Sequence, residues 1–88
     1  MNVRQTIGWN VRRLRVAKGL SQERLALETG IDRSYVGRVE RGSENVTVAT
    51  LEAMAAVLEV EVKALFDPVE TPDSPPPSLP SGRKRKTG

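Results

Sequence analysis

Residues 21–40, SQERLALETGIDRSYVGRVE, decide how the rest of this chain is read. The stretch divides into a short helix, a turn at Gly30 and a second short helix. At about 100° per residue, with Arg33 at 0°, Gly37 falls near 40°, Arg41 near 80°, Ser34 near 100° and Arg38 near 140°. These five positions share one face. Val39 and Val36 fall near 240° and 300°, and Ile31 just ahead of the helix joins them on a dry side. Asp32 suits the N-cap, where its carboxylate accepts from free first-turn amides at the positive end of the dipole. Gly37 stands out because a mid-helix glycine costs about 1 kcal/mol relative to alanine. Its missing side chain on the basic face is expected to let the backbone approach a partner closely.

An arginine-bearing helix face is, by itself, equally consistent with a solvated surface. The residues before it shift that balance. Ser21 can cap a helix carrying Leu25, Ala26 and Thr29, and Gly30 suits a left-handed turn between steeply crossing helices. A basic second helix in such a hairpin has the geometry that enters the major groove of DNA.

The pattern continues outward on both sides. Ile7, Val11 and Leu14 form the inward stripe of a first helix, with Val3 extending it and Arg12 and Arg13 flanking it. Lys18 and Gly19 end that helix. Trp9 reads either as a partly exposed packing residue or as a contact surface, and packing is the stronger reading. After the hairpin, Thr47 caps a fourth helix whose apolar positions are Val48, Leu51, Met54, Ala55 and Leu58. Val60, Val62, Leu65 and Phe66 close the apolar region with a brief fifth helix. They either fold back on their own chain or pack against a second copy, and a dimer interface is the expectation.

Residues 7–66 resemble the lambda-repressor/Cro-like, or xenobiotic-response-element-like, helix-turn-helix domains. The matching motifs are IGWNVRRLRVAKGLSQERLA, TGIDRSYVGRVERG and NVTVATLEAMAAVLEV, in order and at the expected spacing. The resemblance implies an all-α, compact five-helix domain that binds double-stranded DNA. It implies that Gln22 bonds a phosphate and steadies the recognition helix, that Arg33, Ser34, Tyr35 and Arg38 reach base edges, and that Arg41 lies at the backbone. Arginine suits that task because its fork matches guanine O6 and N7, worth about 1–3 kcal/mol of discrimination for a good pair. Phosphate contacts set register without reading sequence. The resemblance further implies a structural salt bridge between Arg15 and Glu40.

Within the family, the loop after the recognition helix and the compact ending look most like restriction-modification controller proteins. Asn45 would then contact the DNA backbone from that loop. Two residues depart from the pattern. Glu44 stands where such loops often carry a basic residue, and Glu59 replaces the glycine usual at the end of the fourth helix.

Composition narrows the function further. Eighty-eight residues allow one small domain, residues 1–66, followed by a tail, residues 67–88. There is no cysteine and no histidine, which removes thiolate sites, the commonest metal ligand and the commonest general base. The remaining carboxylates are scattered, so neither enzymatic activity nor a metal or cofactor is expected. No long apolar run or apolar leader is present, and the expectation is a cytoplasmic protein, nucleoid-associated when bound to DNA, with no membrane partner.

The net charge of +3 hides an uneven distribution. Residues 1–41 carry nine basic and four acidic side chains, +5, whereas residues 42–66 carry one basic and four acidic, −3. A basic half turned to a polyanion explains the split, although a small domain can reach it by chance. Residues 67–82, DPVETPDSPPPSLPSG, hold all six prolines and read as a disordered linker. The closing RKRKTG supplies sequence-independent attraction to phosphates or a second interaction site. A nuclear-localisation reading of those letters is weakly specific.

The sequence thus points to a sequence-specific, double-stranded DNA-binding transcriptional regulator acting as a homodimer. Two recognition helices would read an inverted repeat with half-site centres about 34 Å apart. The alternative is an antitoxin or interaction module that uses the same fold to hold a protein partner.

Overall fold

The structure is a computed structural model that describes residues 2–69. Every regular element among them is helical: α1 (Val3–Ala17), α2 (Gln22–Thr29), α3 (Arg33–Glu40), α4 (Val48–Leu58) and a closing 3₁₀ helix (Val62–Phe66). The fifth helical element anticipated from sequence is therefore a single 3₁₀ segment after four α-helices. The proline-rich linker and basic tail expected over residues 67–88 lie outside the described residues from position 70 onward.

Each helix starts where a side chain can satisfy its free amides. Asn2 and Gln5 form a reciprocal capping box on α1. Ser21 accepts from the Arg24 amide at 2.9 Å, Asp32 from the Ser34 amide at 3.0 Å and Thr47 from the Thr50 amide at 3.2 Å. Asp32 also accepts from the Ser34 hydroxyl. Gly30 ends α2 at φ 73°, and the Ile31 amide donates to the Ala26 carbonyl at 3.0 Å. That left-handed residue reverses the chain between α2 and α3, as its sequence position suggested.

All five elements enclose the core: α1 packs on α3 and the 3₁₀ helix, α2 on α3 and α4, and the 3₁₀ helix on α4. Val11, Leu25, Val36, Met54 and Leu65 are completely enclosed there. Gly8 in the middle of α1 sets the closeness of the α1–α3 contact. A Cβ at this position would stand 2.3 Å from the Val39 carbonyl oxygen and 2.7 Å from that of Glu40, so the end of α3 rests directly on glycine.

Asn10 is the buried polar residue that ties the chain's later segment to α1. Its Nδ2 donates to the carbonyls of Leu65 at 3.0 Å and Asp67 at 2.9 Å, and its Oδ1 accepts from Arg13 Nη2 at 3.2 Å. One amide therefore closes the C-terminal side of the core with its polar atoms engaged. This contact reaches Asp67, one residue past the expected domain boundary.

Several expected core positions differ. Val3 and Val48, assigned to inward stripes, are 57% and 69% exposed. Both are first residues of their helices, and their Cβ atoms project beyond the layer that the following turns bury. Leu65 is the opposite case: assigned to a dimer interface, it is 0% exposed and belongs to the core of the single chain. Val60 and Val62 are half-buried against that core, and Phe66 keeps 42% of its surface exposed. Trp9 is half-buried under the Arg13 guanidinium, 6.0 Å from the ring centroid, in line with a packing role.

Candidate nucleic-acid interface

α3 presents two charged sides built in different ways. At its C-terminal end Glu40 turns inward and is locked. Arg15 Nε donates to Glu40 Oε2 at 2.6 Å and Arg15 Nη2 to Oε1 at 3.1 Å, a bidentate pair with side-chain exposures of 9% and 4%. Arg15 Nη1 also donates to the Leu20 carbonyl at 2.8 Å, which fixes the turn between α1 and α2. Gln22 Nε2 completes the cluster by donating to Glu40 Oε1 at 3.0 Å. Three helices thus converge on one carboxylate, and the pairing inferred from the family resemblance is present.

The outward side carries the candidate readers. Arg33 and Ser34 are exposed in the first turn of α3. Two hydrogen bonds from Ser34 hold the Asp32 carboxyl below its ordinary pKa, so the cap is an anion at neutral pH. Arg38 is exposed one turn later, and its guanidinium stands 5.6 Å from the Tyr35 ring centroid. Tyr35 itself is half-buried against the core. Its ring therefore serves more as a platform for Arg38 than as a freely projecting reader.

Gly37 is buried, contrary to the open backbone expected at that position. The Arg41 guanidinium lies over it: a Cβ on Gly37 would stand 3.3 Å from Arg41 Nη1 and 4.0 Å from Gln22 Oε1. Glycine here leaves room for two long side chains to lie close by. Arg41 and Gln22, assigned to phosphate contacts, thus both lie near Gly37, and Gln22 opens α2, where the dipole and free amides favour an anion.

Asn45 is exposed in the loop after α3, and its Oδ1 accepts from Arg4 Nη1 at 2.9 Å. Arg4 is a residue that sequence reasoning passed over. The α1 periodicity marked it only as polar, and nothing local signals a partner 41 residues away. Glu44, identified only as a departure from the pattern, accepts from Arg38 Nε at 2.7 Å. That hydrogen bond raises the Arg38 pKa. Among the described residues, no group of histidine, cysteine, aspartate or glutamate could hold a metal, and no helix is long and apolar enough to cross a membrane.

A family model for helix-turn-helix domains matches residues 11–65. The chain belongs to this helix-turn-helix family, of the lambda-repressor-like type. It is similar to a hypothetical transcription factor of Neisseria meningitidis, with 43% identity over 67 residues, 76% of this chain and 63% of that protein. The chain thus spans less than two thirds of that relative. It is also similar to the restriction-modification controller protein C.AhdI of Aeromonas hydrophila, whose solved structure aligns with a TM-score of 0.70 at 49% identity, covering 72% of this chain and 96% of that one. The biofilm regulator SinR, solved in complex with DNA, aligns with a TM-score of 0.67 at 37% identity over 69% of this chain and 98% of that chain.

Proposed function

We propose that the protein is a DNA-binding transcriptional regulator that reads double-stranded DNA by placing α3 in the major groove. The observation that carries this reading is the division of α3 between a buried, locked inner end and an exposed outer side. Glu40 is held by Arg15 and Gln22, while Arg33, Ser34 and Arg38 remain exposed along the helix. A firmly anchored helix with an exposed polar edge is what direct reading of bases requires, because the side chains reach base edges while the backbone keeps its place.

Arg33, Ser34 and Arg38 act on bases in this reading. Gln22 and Arg41 act on one phosphate: the Gln22 amide has two hydrogens, of which Glu40 engages one, and Arg41 adds its charge alongside. Asn45 and Arg4 together offer a second backbone contact from the loop that follows α3. The kinship with C.AhdI and the DNA-bound state of SinR support this assignment.

The protein acts as a homodimer, because one α3 spans only a few base pairs. Phe66 with Val62 and Val60 supplies the apolar contact, and Leu65 supports it from beneath. Selection from a random duplex library with the full chain tests the reading, beside an Arg33→Ala/Arg38→Ala control. An enriched inverted repeat, lost in the control, is the expected result. Salt-sensitive retention without any enriched motif would sink it.

A further inference from the structure

The Arg38–Glu44 pair presents a puzzle if α3 reads DNA. A carboxylate on the DNA-facing edge repels phosphate, yet Glu44 sits against one of the principal readers. Its placement is well defined by the backbone. The Ser43 amide and hydroxyl both donate to the Arg38 carbonyl, at 3.0 Å and 3.2 Å, so the loop carrying Glu44 is stitched to the residue that Glu44 contacts. Arg38 is consequently held from two directions, by the carboxylate at Nε and by the Tyr35 ring against its guanidinium.

The atom used for the contact matters. Arginine presents five N–H donors in a planar fork, and Glu44 takes the Nε edge. With the Nε edge engaged, the edge formed by Nη1 and Nη2 still offers two parallel donors that match guanine O6 and N7. A guanidinium already oriented loses less side-chain freedom on binding than a loose one. The pair is also close to neutral overall, which removes one unit of the attraction that drives binding to any sequence of phosphates.

We propose that Glu44 is a specificity-determining residue: it holds Arg38 by its Nε edge, presents the Nη1/Nη2 edge to a guanine, and withholds that arginine from phosphates. The inference rests on the reading of α3 as the base-contacting helix. Glu44 is a positioning residue here, acting on DNA through Arg38. The two side chains are 44% and 25% exposed, and surface pairs of this kind contribute little to folding, so changing Glu44 leaves the domain intact.

The test uses the full chain as wild type, Glu44→Gln, Arg38→Ala and the double variant. Each is put through selection from random duplexes, titrations on the selected and a scrambled duplex at several salt concentrations, and thermal melting. Glu44→Gln is expected to relax the guanine preference at the position that Arg38→Ala relaxes, by about tenfold. Its binding to the scrambled duplex should tighten and become steeper in salt by about one. The melting temperature should not move, and Glu44→Gln should add no further relaxation when Arg38 is already alanine. Tighter binding to both duplexes with base preference retained would overturn the proposal, leaving Glu44 a merely repulsive charge. Relaxation at a position untouched by Arg38→Ala would overturn it too, since Glu44 would then read a base itself. If Arg38→Ala selects the wild-type motif unchanged, the assignment of Arg38 as a reader fails, and the role of Glu44 fails with it.

Discussion

α3 takes part in two arginine–glutamate pairs with nearly equal contacts, 2.6 Å for Arg15–Glu40 and 2.7 Å for Arg38–Glu44. Their surroundings differ. The first is enclosed, with side-chain exposures of 9% and 4%; the second lies at the surface, with 44% and 25%. Enclosure makes the first pair a fixture, because removing one partner strands the other charge away from water. Solvent screens the second pair, so breaking it costs the fold little. The same chemistry therefore anchors α3 at one place and leaves it available for recognition at another.

The most damaging way to break the comparison is at the buried pair. Arg15→Ala or Glu40→Ala should each cost roughly 3–5 kcal/mol in chemical denaturation. The matched replacement Arg15→Met/Glu40→Leu should recover much of that loss, since neither side then buries a lone charge. A loss below about 1 kcal/mol for the single variants would mean that water reaches the pair and that the contrast between the pairs is false. Gly8→Val probes the same contact without touching charge. Its side chain would meet the Val39 and Glu40 carbonyl oxygens inside van der Waals distance, so α3 must shift and the melting temperature should fall sharply.

The exposed side should respond in binding and not in stability. Arg38→Ala is expected to weaken binding to the preferred site by roughly ten- to a hundredfold and relax preference at one position, with the melting temperature unchanged. Arg41→Ala should weaken all sequences alike and lower the salt slope by about one. Should the two variants behave identically in a salt series on selected and scrambled duplexes, the division between reading and positioning along α3 would collapse.

Much of this arrangement was legible in sequence because it rests on local rules. The caps at Ser21, Asp32 and Thr47 and the turn at Gly30 are short-range chemistry, and the structure has them where the residues imply. Periodicity located the inner faces but misplaced Val3 and Val48, because a helix pattern does not say where the next layer stops. Gly37 shows the same limit. The wheel put it on the basic face, yet whether that spot is open depends on Arg41 and Gln22 crossing above it, and Gln22 comes from another helix. Asn10 carried no signal at all, since its partners are backbone carbonyls of Leu65 and Asp67. Long-range polar contacts of this kind need tertiary placement before any residue type suggests them.

A third ion pair sharpens the comparison through its backbone. Glu59 ends α4 at φ 61°, the one residue other than glycine with positive φ among those described, and Lys18 Nζ donates to its Oε1 at 2.6 Å. The left-handed region crowds a Cβ against the following carbonyl, so glycine fits there more easily than glutamate. The pair itself is exposed, at 34% and 75%, and offsets little of that strain. Glu59→Gly should therefore raise the melting temperature by a few degrees. Lys18 holds the Glu59 carboxyl below its ordinary value of 4.5, through their hydrogen bond first and their opposite charges second. A lowered folded-state pKa means that the pair's contribution is present above pH 4.5 and lost as the pH falls through the folded value. The glycine variant lacks this contribution at every pH. Its advantage over wild type should thus be smallest near neutrality and widen on acidification, and Lys18→Met should abolish the pH dependence of the difference. Melting curves from pH 7 to about pH 3 decide it: an advantage that shrinks with acid would mean that the folded chain disfavours the Glu59 carboxylate and that Lys18 does not hold it.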